Sequence, residues 1–440
     1  MRILIIATYF PPDTAIAAVR PYMFAKYLSA MGNDVTVLCS GLVDKISDDA
    51  DYDFDGFRII TVTHGRSLLS SDPLSAAPGK KHLSFLPPLL RTPLKKGYNT
   101  LKSQYVDIKR ITAAKGLFER QKQIIDRMVD NFDVVFSTFG DIENVFAGEY
   151  AAKKFAAKWI MDLRDPIVAY HLSYRPIWNT YADRIQKHAL KNADVVTTVS
   201  HSLSARMRSE VPHARIVTLT NGFDPKLCDV PTVSADKDVF RICYTGQLYQ
   251  QSEEALGHLL LVIKQLISNG RIERNKIRFA YAGSDSAAFM RVFENAGLAD
   301  IVQDYGYLTK TEVHSLQMMC DVFLVLSWNT NRSRGILTGK FYEGIALHRP
   351  ILSVIAGERP YSELYLLNKK YGYGYCMECC RKQTAADCCK WLTKMYRDKL
   401  SKGMCSFKAP HALIESFRYD TLSAKLQKLM QSLITDNGAK

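Results

Sequence analysis

The chain has 440 residues, enough for two or three domains, and 47% of them are hydrophobic, which is ample for large globular cores. A formal net charge of +14 points to an anionic partner such as a membrane surface, a nucleotide or a nucleic acid. No RRM, KH or zinc-finger pattern supports nucleic acid, and no uncharged apolar run of about 18 residues predicts a membrane-spanning helix.

Arg2–Thr8 reads as an apolar strand, too short before Pro11-Pro12 for a signal-peptide core and cleavage site. After the turn Tyr9–Asp13, the spacing of Val19, Met23, Tyr27, Leu28 and Met31 predicts a helix from about Ala18 or Pro21, stopped by Gly32-Asn33. Asp34–Cys39 is the next strand. This βαβ opening implies a parallel sheet with a ligand crevice at its strand ends, and the absence of GxGxxG argues against a dinucleotide cofactor.

Asp44–Asp55 is acidic and loop-like, and Ser67–Leu94 is rich in Ser, Pro and Leu with little periodicity. Lys95–Arg127 reads as a helix. Between Lys80 and Arg127 stand twelve Lys or Arg against three acids, Asp107, Glu119 and Asp126, and the apolar residues Leu83, Phe85, Leu86, Leu89, Leu90 and Leu94 lead into the run. Basic plus apolar composition suits a segment resting on an anionic leaflet, although an ordinary helix pair with a wet basic face has it too.

Phe132–Ser137 is a buried strand, followed by a helix entered through Thr138–Gly148. A strand from Lys158, a helix over Pro176–Leu190 and a strand over Ala193–Ser200 come next. Ile216–Pro225 carries an Asn-Gly turn, and the polar run Cys228–Asp238 acts as a linker. This puts a first domain at residues 1–226 and a second at 227–411.

Phe240–Gly246 restarts the α/β pattern. Ile277–Gly283 and Asp304–Leu308 read as strands, and Thr309 with Glu312 forms a capping box that opens a helix ending near Cys320. Val322–Leu326 is a buried parallel strand, and a helix is predicted over Gly339–Leu347, before Pro350. A helix N-terminus at the end of a parallel strand offers free N–H groups and a positive dipole end to an anion. Lys340 lies in its first turn and Glu343 at i+3: a cation for phosphate and a carboxylate for hydroxyls, or a plain surface ion pair. The cysteines Cys376, Cys379, Cys380, Cys388 and Cys389 lack the His or paired CxxC of a zinc site, so reduced thiols and no metal are expected.

Gly335-x4-Lys340-x2-Glu343, followed by Pro350-Ile-Leu, resembles the donor-site motif of retaining glycosyltransferases of the GT-B fold, family 4. The opening strand with Phe10-Pro-Pro, the segment Asp162-Leu-Arg-Asp-Pro166, Ala193–Ser200 and the turn Asn221-Gly-Phe-Asp224 resemble the same family, so that the likeness spans nearly the whole chain. It implies an α/β architecture of two Rossmann-like domains with parallel sheets facing across a cleft. A C-terminal helix at 412–440 would pack back on the first domain. The nucleotide sugar would sit on the second domain and the acceptor on the first.

By this resemblance Lys340 lies by the diphosphate and Glu343 binds the ribose hydroxyls. Gly335 stands where many members carry another glutamate. The Gly246 loop faces the diphosphate, with Gln247, Tyr249 and Gln250 where a basic residue is common, so Arg332, Arg334 and Lys340 would supply the charge. Leu308 and Tyr307 are nucleobase candidates. Arg20, Asp13 and Arg164 fall on the acceptor side. Asp141, Glu143 and Asn144 occupy the region of the family's histidine, and Glu143, Asn144 and Asp165 form the candidate catalytic set.

The implied activity is transfer of a sugar from a nucleotide-diphosphate donor, with retention, to a glycan or lipid-linked acceptor. No cofactor or metal is expected. The setting implied is cell-surface polysaccharide or lipopolysaccharide biosynthesis, in the cytoplasm on the inner face of the membrane. A sugar-nucleotide 2-epimerase and a non-catalytic relative are the alternatives.

Overall fold

The computed structural model describes residues 1–13, 15–40, 52–62, 88–167, 176–228 and 236–435, with the side chains of 88–103 and 176 not included. Lys80, Lys81, Leu83, Phe85, Leu86 and most of the Cys228–Asp238 linker therefore lie outside the described residues.

The first domain runs β1 (Arg2–Ala7), α1 (Ile16–Ala30), β2 (Asp34–Cys39), β3 (Arg58–Thr61), α2 (Pro88–Arg127), β4 (Val134–Thr138) and α3 (Glu143–Phe155). It continues β5 (Lys158–Leu163), α4 (Pro176–Asn192), β6 (Val195–Thr198), α5 (His201–Glu210) and β7 (Ile216–Thr218). The second domain runs β8 (Phe240–Thr245), α6 (Gln250–Ser268), β9 (Ile277–Ala282), α7 (Ser286–Ala296), β10 (Val302–Asp304) and α8 (Lys310–Met318). It is completed by β11 (Val322–Trp328), α9 (Gly339–Ala346), β12 (Ile351–Ala356), α10 (Glu363–Tyr371), β13 (Gly374–Glu378) and α11 (Lys382–Lys402), before α12 (His411–Phe417) and α13 (Tyr419–Thr435).

Seven strands in the order β3-β2-β1-β4-β5-β6-β7 form one sheet, and six in the order β10-β9-β8-β11-β12-β13 form the other. Their pairings are parallel. Central strands covered by helices on both faces must be apolar on both, and Ile3–Ala7 and Val322–Val325 are fully buried. In each sheet the chain winds outward from the first strand and then returns to its other side, between β1 and β4 and between β8 and β11. Those reversals open crevices at the carboxyl ends of the strands, where ligands bind in such sheets.

Several elements differ from the sequence reading. Helix α1 begins at Ile16, which leaves Pro21 inside it and the Ala17 carbonyl without its i+4 donor. Arg164 compensates by donating Nη1–H to that carbonyl at 2.8 Å. Helix α2 begins at Pro88, inside the stretch read as irregular. The short half-buried strand β3 at the sheet edge carries too little apolar patterning to be read. β10 ends at Asp304, because Gly306 at φ 64° turns the chain within the predicted strand.

The domains are joined by two crossings. The chain leaves the first domain through Leu219–Cys228 and returns at Arg418, between α12 and α13. Phe223 N–H donates to Phe417 O at 3.0 Å and Tyr419 N–H to Phe223 O at 3.1 Å, so the crossings are hydrogen-bonded side by side. Leu413 and Phe417 of α12 pack with Phe341 and Tyr342 of α9 in the second domain. Tyr419, Leu422, Leu426 and Met430 of α13 pack with Phe24 and Leu28 of α1 in the first.

Arg20, in α1, fixes the first domain to this junction. Its Nε and Nη2 donate to Asp162 at 2.9 and 2.8 Å, Nη2 also reaches Leu219 O at 2.9 Å, and Nη1 reaches Thr220 O at 2.6 Å and Asn221 Oδ1 at 3.3 Å. Thr138 and Thr197 hydroxyls donate to the same carboxylate, at 2.9 and 2.7 Å. Burial opposes both charges, but the pairing outweighs it: the Arg20 pKa is raised and that of Asp162 lowered. Removing one partner leaves a buried charge uncompensated. Arg20→Met is therefore expected to lose about 3–5 kcal/mol of stability in urea denaturation, and Arg20→Met with Asp162→Leu to recover most of it.

Candidate functional site

On the second domain the site is assembled at the β8/β11 reversal. Gly246, directly after β8, has φ 97°, and a Cβ there would lie 3.1 Å from Lys340 Cε and Nζ. The bare backbone thus gives the lysine room over the loop. Lys340 Nζ lies 5.2 Å from the centroid of the buried Tyr244 ring, and it forms no ion pair among the described residues. Burial lowers its pKa, and Glu343 one turn away opposes this. A cation so placed at the N-terminus of α9, with no ion pair among the described residues, is available to an anion.

Glu343 is held from beneath. Gln317 Nε2 donates to Glu343 Oε2 and to Thr245 Oγ1, each at 2.8 Å, and Gln317 and Thr245 are both 3% exposed. This bridge orients the carboxylate, and its parts lie too far apart in the chain for any spacing rule to find. Gly246, Lys340 and Glu343 thus come together. Gln247 is exposed, its carbonyl accepting from Tyr244 Oη at 2.7 Å. Arg332 and Arg334 are exposed on the loop before α9. Leu308 packs against the second domain's core, and Tyr307 beside it is 85% exposed.

Gly335 makes a different contact from the one its position in the motif implies. At φ 72° it turns against the first domain, where an added Cβ would lie 2.3 Å from Ser200 Oγ and 2.9 Å from Ser202 Cβ. No larger side chain fits there.

On the first domain, the β1/β4 reversal gathers Thr8, Tyr9, Asp141, Glu143 and Asn144. Asn144 is fully buried, donating Nδ2–H to Thr8 Oγ1 and Thr138 O and accepting at Oδ1 from Gln121 Nε2. Both amide hydrogens and one lone pair of its oxygen are thereby engaged within the protein. Glu143 is also fully buried; its Oε1 accepts from Thr8 Oγ1 at 2.9 Å and its Oε2 has no hydrogen-bond partner among the described residues. Burial and the neighbouring Asp141 push its carboxyl up to about 8, so at neutral pH it is mostly protonated. Asp141 is raised by burial, with Arg110 3.9 Å away opposing. Arg110 stacks its guanidinium 3.8 Å from the Trp178 ring centroid.

Asp165 is exposed just after β5. Asp13 is half-buried and accepts from Ala15 N–H at 2.9 Å. The two arginines expected on the acceptor side are both engaged within the protein. Arg20 has each of its five N–H groups engaged within the protein, and Arg164 is turned to Ala17 O and Phe139 O instead of pairing with Asp165. The ten cysteines are free; Cys376 and Cys388 are buried in the second domain, where burial raises their pKa, and Cys380 is exposed.

No family model and no curated protein sequence matches the chain. Solved structures do. Sucrose-phosphate synthase from Thermosynechococcus elongatus has TM-score 0.64 at 13% identity, over 99% of this chain and 100% of that one. Anabaena HepE in complex with UDP-glucose has 0.56 at 12%, over 98% and 100%. The apo lipopolysaccharide outer core galactosyltransferase WaaB has 0.54 at 13%, over 98% and 99%. With the two parallel sheets, this likeness establishes the GT-B fold: two Rossmann-like domains across a cleft.

The buried carboxyl at Glu143 predicts a pH effect on stability. Its folded-state pKa is raised, so between about pH 4.5 and 8 the unfolded chain gives up this proton while the folded protein keeps it. Stability then falls as pH rises through that window, by at most about 1.4 kcal/mol per unit. Glu143→Gln should lack this loss, and its advantage over the wild type in urea titrations should widen from pH 5 to pH 8.

Proposed function

We propose that the chain is a glycosyltransferase that moves a sugar from a nucleotide-diphosphate donor, with retention, to a glycan or lipid-linked acceptor in cell-surface polysaccharide biosynthesis. The observation that carries this reading is Lys340. A lysine desolvated at a helix N-terminus, with no ion-pair partner among the described residues and a glutamate held one turn away by Gln317, suits a diphosphate beside ribose hydroxyls. Lys340, the exposed Arg334 and the α9 dipole would stabilise the departing diphosphate, an electrostatic contribution that is usually the largest in such reactions. With cations in this role no metal is needed. The exposed Asp165 would be the carboxylate offered to the acceptor.

Membrane attachment is part of the proposal. Helix α2 exposes Lys109, Lys115, Arg120 and Arg127, with Tyr105 and Ile108 more than half exposed beside them. A basic face carrying apolar residues suits the anionic inner leaflet. Among the described residues no helix is long and apolar enough to cross a membrane.

The full burial of Glu143 and Asn144 favours a second reading, a non-catalytic relative that binds nucleotide sugar without turnover. Sugar-nucleotide 2-epimerases also share the architecture.

Thermal shift against UDP, GDP, ADP, CMP and their sugar conjugates tests donor binding. A ligand at a hundred times its Kd should stabilise the protein by about 2.7 kcal/mol. Lys340→Ala and Glu343→Ala should each remove the shift while leaving the fold intact. Unchanged binding in Glu343→Ala would sink the donor assignment, and binding without product on any acceptor would favour the non-catalytic reading. Cosedimentation with phosphatidylglycerol vesicles, lost at high salt and absent with phosphatidylcholine, is the result expected of α2.

A further inference from the structure

The buried carboxylate Glu363, in the first turn of α10, is 5% exposed and has no ion-pair partner among the described residues. It reaches instead across the domain boundary to the N-terminus of α5. It accepts from His201 N–H at 3.0 Å, Ser202 N–H at 3.1 Å and Ser202 Oγ–H at 2.6 Å. Free N–H groups and the positive end of the helix dipole are what offsets a buried negative charge there. Ser200 caps the same helix, accepting from Leu203 N–H at 3.2 Å.

Glu363 is itself held from below. Glu378, fully buried on β13, accepts from Tyr361 N–H at 3.1 Å and Ser362 N–H at 2.6 Å, which fixes the chain just before α10. A rigid path therefore runs from the second sheet through Glu363 to the first turn of α5.

The loop leading to Lys340 turns on that same first turn. Gly335 lies against Ser200 and Ser202, too close for a side chain, and five residues later the chain places Lys340 at the donor site. One helix terminus of the first domain is thus gripped by Glu363 and also supports the donor loop.

We propose that Glu363 is a positioning residue for the donor: by fixing the first turn of α5 it sets the conformation of the 333–338 loop, and so couples nucleotide affinity to the contact between domains. The inference rests on the donor site proposed above. Glu363 touches no part of the nucleotide; its effect passes through Ser202 and Gly335. By reciprocity, a nucleotide in the site must strengthen the α5 contact by the same factor.

The test pairs nucleotide titration with hydrogen exchange at the His201 and Ser202 amides, using full-length protein and the UDP, GDP or ADP that gives the largest thermal shift. Glu363→Ala should weaken binding about tenfold or more. Ser202→Ala, which removes one of three bonds and leaves the fold intact, should weaken it by a smaller factor. Nucleotide should slow exchange at His201 and Ser202 in the wild type and not in Lys340→Ala. Wild-type affinity in both Glu363→Ala and Ser202→Ala, or exchange at these amides indifferent to nucleotide, would overturn the coupling and leave the donor site standing. Failure of the wild type to bind any of the three would overturn the donor reading and this inference with it.

Discussion

The Arg20–Asp162 pair is the constraint on which the rest of the structure depends. A guanidinium with five donors and a carboxylate with four accepting positions saturate each other and their surroundings: two threonine hydroxyls, two backbone carbonyls and one asparagine. Helix α1, strands β4, β5 and β6 and the first interdomain crossing meet at this point. An ion pair buried so deeply brings little net stability against an apolar substitute, but it tolerates very few geometries. Its value is in placing the crossing relative to the sheet, and hence one domain relative to the other.

Two further contacts transmit that placement to the candidate donor site. The crossings are paired backbone to backbone at Phe223 and Arg418, and Phe417 packs on Phe341 and Tyr342 of the helix that carries Lys340 and Glu343. On the other side Glu363 holds the α5 terminus against which Gly335 turns. The donor helix is thus referenced to the first domain through its first turn and through the loop that leads into it.

Much of this architecture was legible in the sequence because parallel strands buried on both faces leave continuous apolar runs, and the Thr309–Glu312 box and the Lys340–Glu343 spacing are local signals. What was illegible depended on distant partners. Glu363 next to Ser362 reads as an ordinary first-turn acid, and only the fold brings α5 to it. Arg20 resembles a solvated helix-start charge or a ligand contact until Asp162, 142 residues away, is placed beside it. Pro21 belongs in a first turn by local rules, and its interior position is tolerated because Arg164 supplies the missing donor to Ala17. Asn144 and Glu143 occupied the expected region, yet strand packing buried them, which no spacing could foretell.

The return of the chain through Arg418 has a consequence for the order in which the molecule is built. Because α13 covers the apolar face of α1, β1 and β4, residues 219–418 form an insertion within the first domain. During synthesis Phe24, Leu28 and Phe136 stay uncovered until residues 419–433 have left the ribosome, by which time the whole second sheet has already emerged. The domain that starts first is therefore finished last. Throughout that interval the nascent chain exposes a surface of the kind that chaperones bind.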